Sequence, residues 1–211
     1  QEADFTSGDE GSSEGTAEPT ATPIPAPNSA DGFDLTTSSD KCKSVKLLYK
    51  KADGNWEEFS QKNDAPEVSG NPSIRLEVEY ENVQIQYLMD SYNCTLTYQL
   101  PTLLRDAKTA GKIMEGNQHV GDVTCENGKV VVRFFESYLQ GLLDKGATTI
   151  AGDFYVEGNV DLSKLDQDGK ATVSTADKTY QLNFGPDAVA KYGKINIEKT
   201  CVSQQAISTE S

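Results

Sequence analysis

The stretch Ser73-Ile-Arg-Leu-Glu-Val-Glu-Tyr80 decides the fold class. Ile74, Leu76, Val78 and Tyr80 alternate with Arg75, Glu77 and Glu79. A period of two puts one set on a dry face and the other on a wet face, as in a half-buried strand. On its N-terminal side Val45, Leu47 and Tyr49 alternate with Ser44, Lys46 and Leu48, and Asp53-Gly54 turns that strand into Trp56 to Phe59. On its C-terminal side Leu96, Tyr98 and Leu100 repeat the pattern until Pro101 stops it. Asn127-Gly128 folds the run ending at Cys125 back into Val130 to Phe135. Thr148 to Val160 reads as a long strand interrupted at Gly152 by a bulge. Asp168-Gly169 and Asp177-Lys178 punctuate Ala171 to Ser174 and Thr179 to Phe184, and a last strand-like piece, Lys194 to Thr200, follows the Gly185-Pro186 break. Only Glu136 to Lys145 reads as a turn or two of helix. About nine strands with turns at this spacing indicate an all-β chain, an immunoglobulin-like antiparallel β-sandwich.

Around these strands the composition is uneven. The 211 residues carry 33 acidic and 19 basic side chains, a net charge of −14 and a pI near 4.4. That balance disfavours a nucleic-acid partner, which needs clustered Lys and Arg. No apolar run is long enough to insert in a membrane. Residues 1–40 contain Glu2, Asp4, Asp9, Glu10, Glu14, Glu18, Asp31, Asp34 and Asp40 but no Lys or Arg, with Pro19 and the Pro23 to Pro27 run. Such a segment buries too little apolar surface to offset its ordering entropy, so a disordered acidic linker is expected there. It leaves 24 acidic and 19 basic residues beyond position 40, so the remainder is only mildly acidic. The expected organisation is a linker over 1–40, a sandwich over 41–193, and a final strand over 194–211 leading into a following domain.

Cys42, Cys94, Cys125 and Cys201 are widely spaced, with no C-x-x-C pair to suggest a zinc knuckle or redox motif. They are either buried thiols or, in an exported chain, structural disulfides. The expected bridge is Cys94–Cys125, because both lie at the edges of predicted core strands. The opening at Gln1 without Met is what a processed or trimmed chain looks like.

The same strands carry a family resemblance. Ser73 to Tyr80, followed by Cys94-Thr-Leu-Thr-Tyr-Gln-Leu-Pro101, resembles the N-terminal adhesion region of Gram-positive surface proteins of the collagen-adhesin type. The hairpin from Val120 to Phe134 and the strand Ile150 to Phe154 fit the same order, and Gly193 to Thr200 resembles the entry into a B-type repeat. The resemblance implies a variant immunoglobulin fold in an extracellular, cell-wall-attached adhesin whose partners are an extracellular matrix protein or a glycan, together with further domains of the same chain. Two features depart from that pattern. Four cysteines are unusual for such proteins, and Leu100-Pro101-Thr102-Leu103 is only superficially like a sorting motif. The chain therefore reads as a fragment of a longer protein.

Candidate chemistry is sparse, and neither a metal nor a cofactor is expected. His119 has no nucleophile signature beside it, G-x-S-x-G is absent, and the residue reads as a surface or half-buried polar group. Asp161, Asp166 and Asp168 before Gly169 have the oxygen-rich character of a calcium loop but not its spacing, and Asp-Gly is ordinary turn chemistry. An intramolecular isopeptide bond, known from related adhesins, would use Lys46, Asn196 and Asp153, a buried neutral carboxyl shuttling protons during amide formation. The phase of its strand opposes this, since Lys46 alternates with the apolar Val45 and Leu47 and so faces water.

Ligand binding is placed on the loop Glu81 to Asn93, where Tyr87, Leu88, Met89 and Tyr92 are unusually apolar, and on Trp56. The alternative is that these residues cover the core. The expected function is a non-enzymatic adhesion module recognising a protein or glycan. A structural stalk or pilin-like spacer, or the carbohydrate-binding module of a secreted enzyme, is the alternative.

Overall fold

A computed structural model describes residues 32–109 and 111–190. The strands, in chain order, are β1 (Phe33–Asp34), β2 (Cys42–Lys50), β3 (Trp56–Glu58), β4 (Ile74–Gln84), β5 (Thr95–Gln99), β6 (Leu104–Thr109), β7 (Lys112–Glu115), β8 (Gln118–Glu126), β9 (Lys129–Phe134), β10 (Thr149–Val160), β11 (Lys170–Ser174) and β12 (Thr179–Asn183). Helices α1 (Ile85–Tyr92) and α2 (Glu136–Asp144) lie between them, and residues 186–190 are also helical. One five-stranded sheet has the order β3-β2-β4-β10-β6, a second has β1-β5-β9-β8-β7, and β11 and β12 form a hairpin of their own. All pairings are antiparallel except β1 with β5.

The alternation in Ile74 to Tyr80 builds the core as expected. Ile74, Leu76, Val78 and Tyr80 are buried, with Val45 and Leu47 beside them on β2 and Phe154 and Val156 on β10. Leu96, Tyr98, Val123, Val130, Val132 and Phe134 of the second sheet join the same core. Tyr98 meets Phe154 edge to face, ring centroids 6.4 Å apart, linking the two sheets.

Turn chemistry matches the residues that carry it. Asn127 (φ 51°) and Gly128 (φ 73°) both take the left-handed region that a tight hairpin between β8 and β9 requires. The register of β10 against β4 slips between Ile150 and Gly152, a bulge at the expected glycine. A Cβ at Gly152 would lie 2.6 Å from Tyr80 Oη, so only glycine lets that buried ring pack against the bulge.

Three parts differ from the sequence expectation. Glu81 to Asn93 is not a loop: β4 runs on to Gln84 and α1 follows directly. Residues 33–37, expected within the linker, form β1 and a 3-10 turn whose Leu35 is fully buried. Finally, β6 and β7 were missed, because a charged edge strand such as Leu104–Thr109 lacks clean alternation. The disorder expected over 1–31 and the strand expected over 194–200 lie outside the described residues.

The β11–β12 hairpin closes one edge of the first sheet. Strand β3 pairs with only the end of β2, from Leu48 to Lys50, so among the described residues no strand lies beside the β2 edge near Val45. Tyr180 Oη donates to Glu58 Oε1 at 2.6 Å and lies 3.3 Å from the Val45 carbonyl oxygen, while Lys178 Nζ lies 3.4 Å and 3.5 Å from the same two groups. Side chains thus satisfy an edge that would otherwise offer itself to another strand.

Candidate binding face

The outward face of the first sheet gathers most of the chemistry that the core excludes. Its rows follow from register. Leu48 on β2, Arg75 on β4 and Glu157 on β10 form one row, and Lys46, Glu77 and Tyr155 form the next. Ser44, Glu79 and Asp153 form a third. The alternation that buries Leu76 and Val78 necessarily turns Arg75, Glu77 and Glu79 to this side.

Arg75 is the centre of the first row. Its guanidinium lies 4.3 Å from the Trp56 ring centroid and 4.4 Å from that of Tyr155. Cation–π attraction joins β3, β4 and β10 through one side chain. Arg75 Nε donates to Glu157 Oε1 at 3.1 Å, Nη2 donates to the same oxygen, and Nη1 lies 3.8 Å from Glu77. The guanidinium is therefore held in its plane as well as on its faces. Trp56 is half-buried and committed to this stack, neither a core plug nor a free platform.

Beyond Tyr155, on the side away from Arg75, lies a depression of about 170 Å³ lined by Ser44, Lys46, Glu77, Glu79, Asp153 and Tyr155. Glu79 is paired with Lys43 at 3.1 Å. This salt bridge and the contact of Glu77 with Arg75 engage two of the lining carboxylates. The Ser44 hydroxyl, the Lys46 ammonium and the Asp153 carboxylate make no hydrogen bond or salt bridge among the described residues.

Lys46 and Asp153, two members of the expected isopeptide trio, thus do sit near one another, but on an exposed face. The reaction needs an apolar enclosure to hold a carboxyl neutral, and this face does not provide one. Asn196 lies outside the described residues.

The other expected site residues are elsewhere. Tyr87, Met89 and Tyr92 lie on α1, half-buried, with Ile85 and Leu88 on its fully buried side. Tyr87 and Tyr92 touch edge to face at 5.1 Å with hydroxyls 3.2 Å apart, and Phe33 of β1 meets Tyr92 at 5.4 Å. These rings seal an end of the core and are not presented as a binding loop. Helical spacing was present in the sequence: Ile85, Leu88, Met89 and Tyr92 fall at i, i+3, i+4 and i+7.

The expected Cys94–Cys125 disulfide is absent. Cys125 shares a row with Val130 and Tyr98, whereas Cys94 precedes Thr95, which pairs with Arg133. The offset of four residues along the strands is about 13 Å at strand rise, and a bridge needs Cα atoms within about 7 Å. His119 Nε2 bonds Asp122 Oδ1 at 2.8 Å and its ring packs edge-on against Phe135 at 4.8 Å. Asp161 caps the 3-10 turn over 162–164 by accepting from Ser163 N, and Asp166 accepts from the backbone of Asp168 and Lys170. These carboxylates build turns, and no group of three metal-ligating side chains occurs among the described residues.

No helix among the described residues is long and apolar enough to cross a membrane. No family model and no curated protein matches the chain.

Proposed function

We propose that this chain is a non-enzymatic binding module, an adhesion domain of an extracellular bacterial surface protein that recognises a matrix protein or a glycan. The observation that carries the reading is the outward face of the first sheet. There Trp56, Arg75 and Tyr155 form a rigid stack beside Ser44, Lys46 and Asp153, which make no hydrogen bond or salt bridge among the described residues. Aromatic and arginine side chains held by their neighbours give contact area at low entropic cost, which suits recognition better than catalysis. Two five-stranded sheets, antiparallel apart from the β1–β5 pair, around one core support reading the fold as a variant immunoglobulin-like sandwich. Attachment to a cell wall and neighbouring domains belong to the same reading and rest on the resemblance of the strand motifs.

The test is a panel of immobilised matrix proteins and oligosaccharides probed with the full chain. Saturable binding to at least one partner, weakened by Tyr155→Ala while the melting curve stays cooperative, is the expected result. Failure to bind any of them saturably, or binding that ignores the face, would remove the proposal.

A further inference from the structure

We infer that the depression beside Tyr155 is a subsite for a single neutral sugar ring of a glycan. The inference rests on the reading of this face as a binding face and narrows its ligand. Size is the first argument. At about 170 Å³ the depression is smaller than a pocket for a whole drug-sized ligand, so it takes one compact unit of a chain that continues along the sheet.

The wall is the second. Tyr155 is 40% exposed, among the most exposed large hydrophobic side chains, and Arg75 on its far side fixes the ring. A pyranose offers a patch of weakly positive C–H bonds, which matches the negative face of an aromatic ring. The Arg75 stack orders Tyr155 before any ligand arrives, so little side-chain entropy is lost on binding.

Polar complementarity is the third. A sugar hydroxyl both donates and accepts. The lining supplies an acceptor at Asp153, a donor at Lys46, and at Ser44 a hydroxyl that does both. None of the three makes a hydrogen bond or salt bridge with another described residue, so binding need not break one. Charge then selects the ligand class. Glu79 is paired with Lys43, while Arg75 is shared between Glu77 and Glu157, which leaves Lys46 beside Asp153 and a slight excess of negative charge. That excess opposes a polyanion and the Lys46 ammonium opposes a cation, so an uncharged ligand rich in hydroxyls is favoured.

The experiment is an array of neutral and acidic oligosaccharides probed with the full chain, followed by titration of the best neutral hit against Tyr155→Ala, Tyr155→Phe and Asp153→Asn. Binding confined to neutral glycans is expected, weakened about tenfold by Tyr155→Ala and by Asp153→Asn, as loss of a stacking contact or a charge-assisted hydrogen bond would give. Tyr155→Phe keeps the ring and should bind nearly as the parent does, which separates a lost contact from a disturbed sheet. Absence of neutral-glycan binding, or hits that tolerate both Tyr155→Ala and Asp153→Asn, overturns the inference. The matrix-protein panel distinguishes the two levels. Protein binding lost with Tyr155→Ala but no glycan binding leaves the binding-face reading standing and removes the sugar subsite. Binding to neither removes both.

Discussion

Tyr180 shows how one side chain couples edge protection to pH. Its ring is fully buried, and its hydroxyl bonds the Glu58 carboxylate and approaches the Val45 carbonyl. The bond from Tyr180 foremost lowers the Glu58 pKa below its ordinary 4.5; burial opposes it, and Lys178 and the charge of Lys46 add to the lowering. A carboxylate whose pKa is depressed on folding adds stability above its unfolded pKa, and that stability is lost as pH falls through the folded value. Tyr180 has the opposite sense, since burial foremost and then the Glu58 contact raise its pKa above 10.0. Its contribution is present below the unfolded value and is lost as pH rises beyond it. Tyr180→Phe is therefore expected to cost about 1 kcal/mol near neutrality, the usual net worth of a buried hydrogen bond. It should also flatten both the acid and the alkaline limbs of stability. Urea midpoints from pH 3 to pH 11 check this, and Glu58→Gln should flatten the acid limb while only reducing the alkaline one, where burial of Tyr180 still acts. A Tyr180→Phe profile parallel to that of the parent would refute the coupling.

Among the elements, those written in period two were legible and those defined by their neighbours were not. Ile74 to Tyr80, the Asn127-Gly128 hairpin and the Gly152 bulge follow from alternation and turn chemistry, which are local properties. The edge strand β6 and the short β1 owe their existence to partners far along the chain, β10 and β5. The binding face was half legible. Trp56 was singled out, but its stack requires Arg75 and Tyr155, which meet it only through the register of β3, β2, β4 and β10. Helix α1 carries helical spacing at Ile85, Leu88, Met89 and Tyr92, but its eight residues between strands give only about two turns of it, too short a run to stand out from the surrounding period of two. Its packing gives a direct test. Leu88 is fully buried, and Leu88→Ala should cost about 2–5 kcal/mol by cavity formation. Tyr87→Ala should also lower stability, by about 1–2 kcal/mol, since its ring packs on Phe33 and Tyr92. Denaturant unfolding measures both. A Tyr87→Ala protein as stable as the parent would restore Tyr87 as an exposed contact residue.

At the scale of the whole molecule, the N-terminal boundary decides what a minimal domain must contain. Leu35 is fully buried, Phe33 pairs with Leu96 on β5, and Thr36 Oγ1 accepts from the Gln99 backbone N–H at 2.8 Å. Eight residues of the acidic stretch, 33–40, therefore belong with the folded unit, although their composition reads as linker. Cys42 reports on this docking. Its thiol lies 3.3 Å from the Leu35 carbonyl oxygen, and burial, followed by Asp177 and Asp34, pushes its pKa up to about 11. A thiol reacts through its thiolate, so alkylation of Cys42 at pH 8 should be slow in the native chain and speed up on unfolding. A chain beginning at Lys41 loses Leu35 and Asp34 together. It is expected to melt below a chain beginning at Asp31, and its Cys42, less buried and relieved of one carboxylate, should alkylate faster while the protein is still folded. Peptide mapping after timed iodoacetamide treatment reads the site directly, apart from any change at the other cysteines. Equal melting and equal Cys42 rates in the two chains would mean that β1 adds nothing to the fold. A lower melting point with unchanged Cys42 rates would separate the packing of Leu35 from the shelter it gives the thiol.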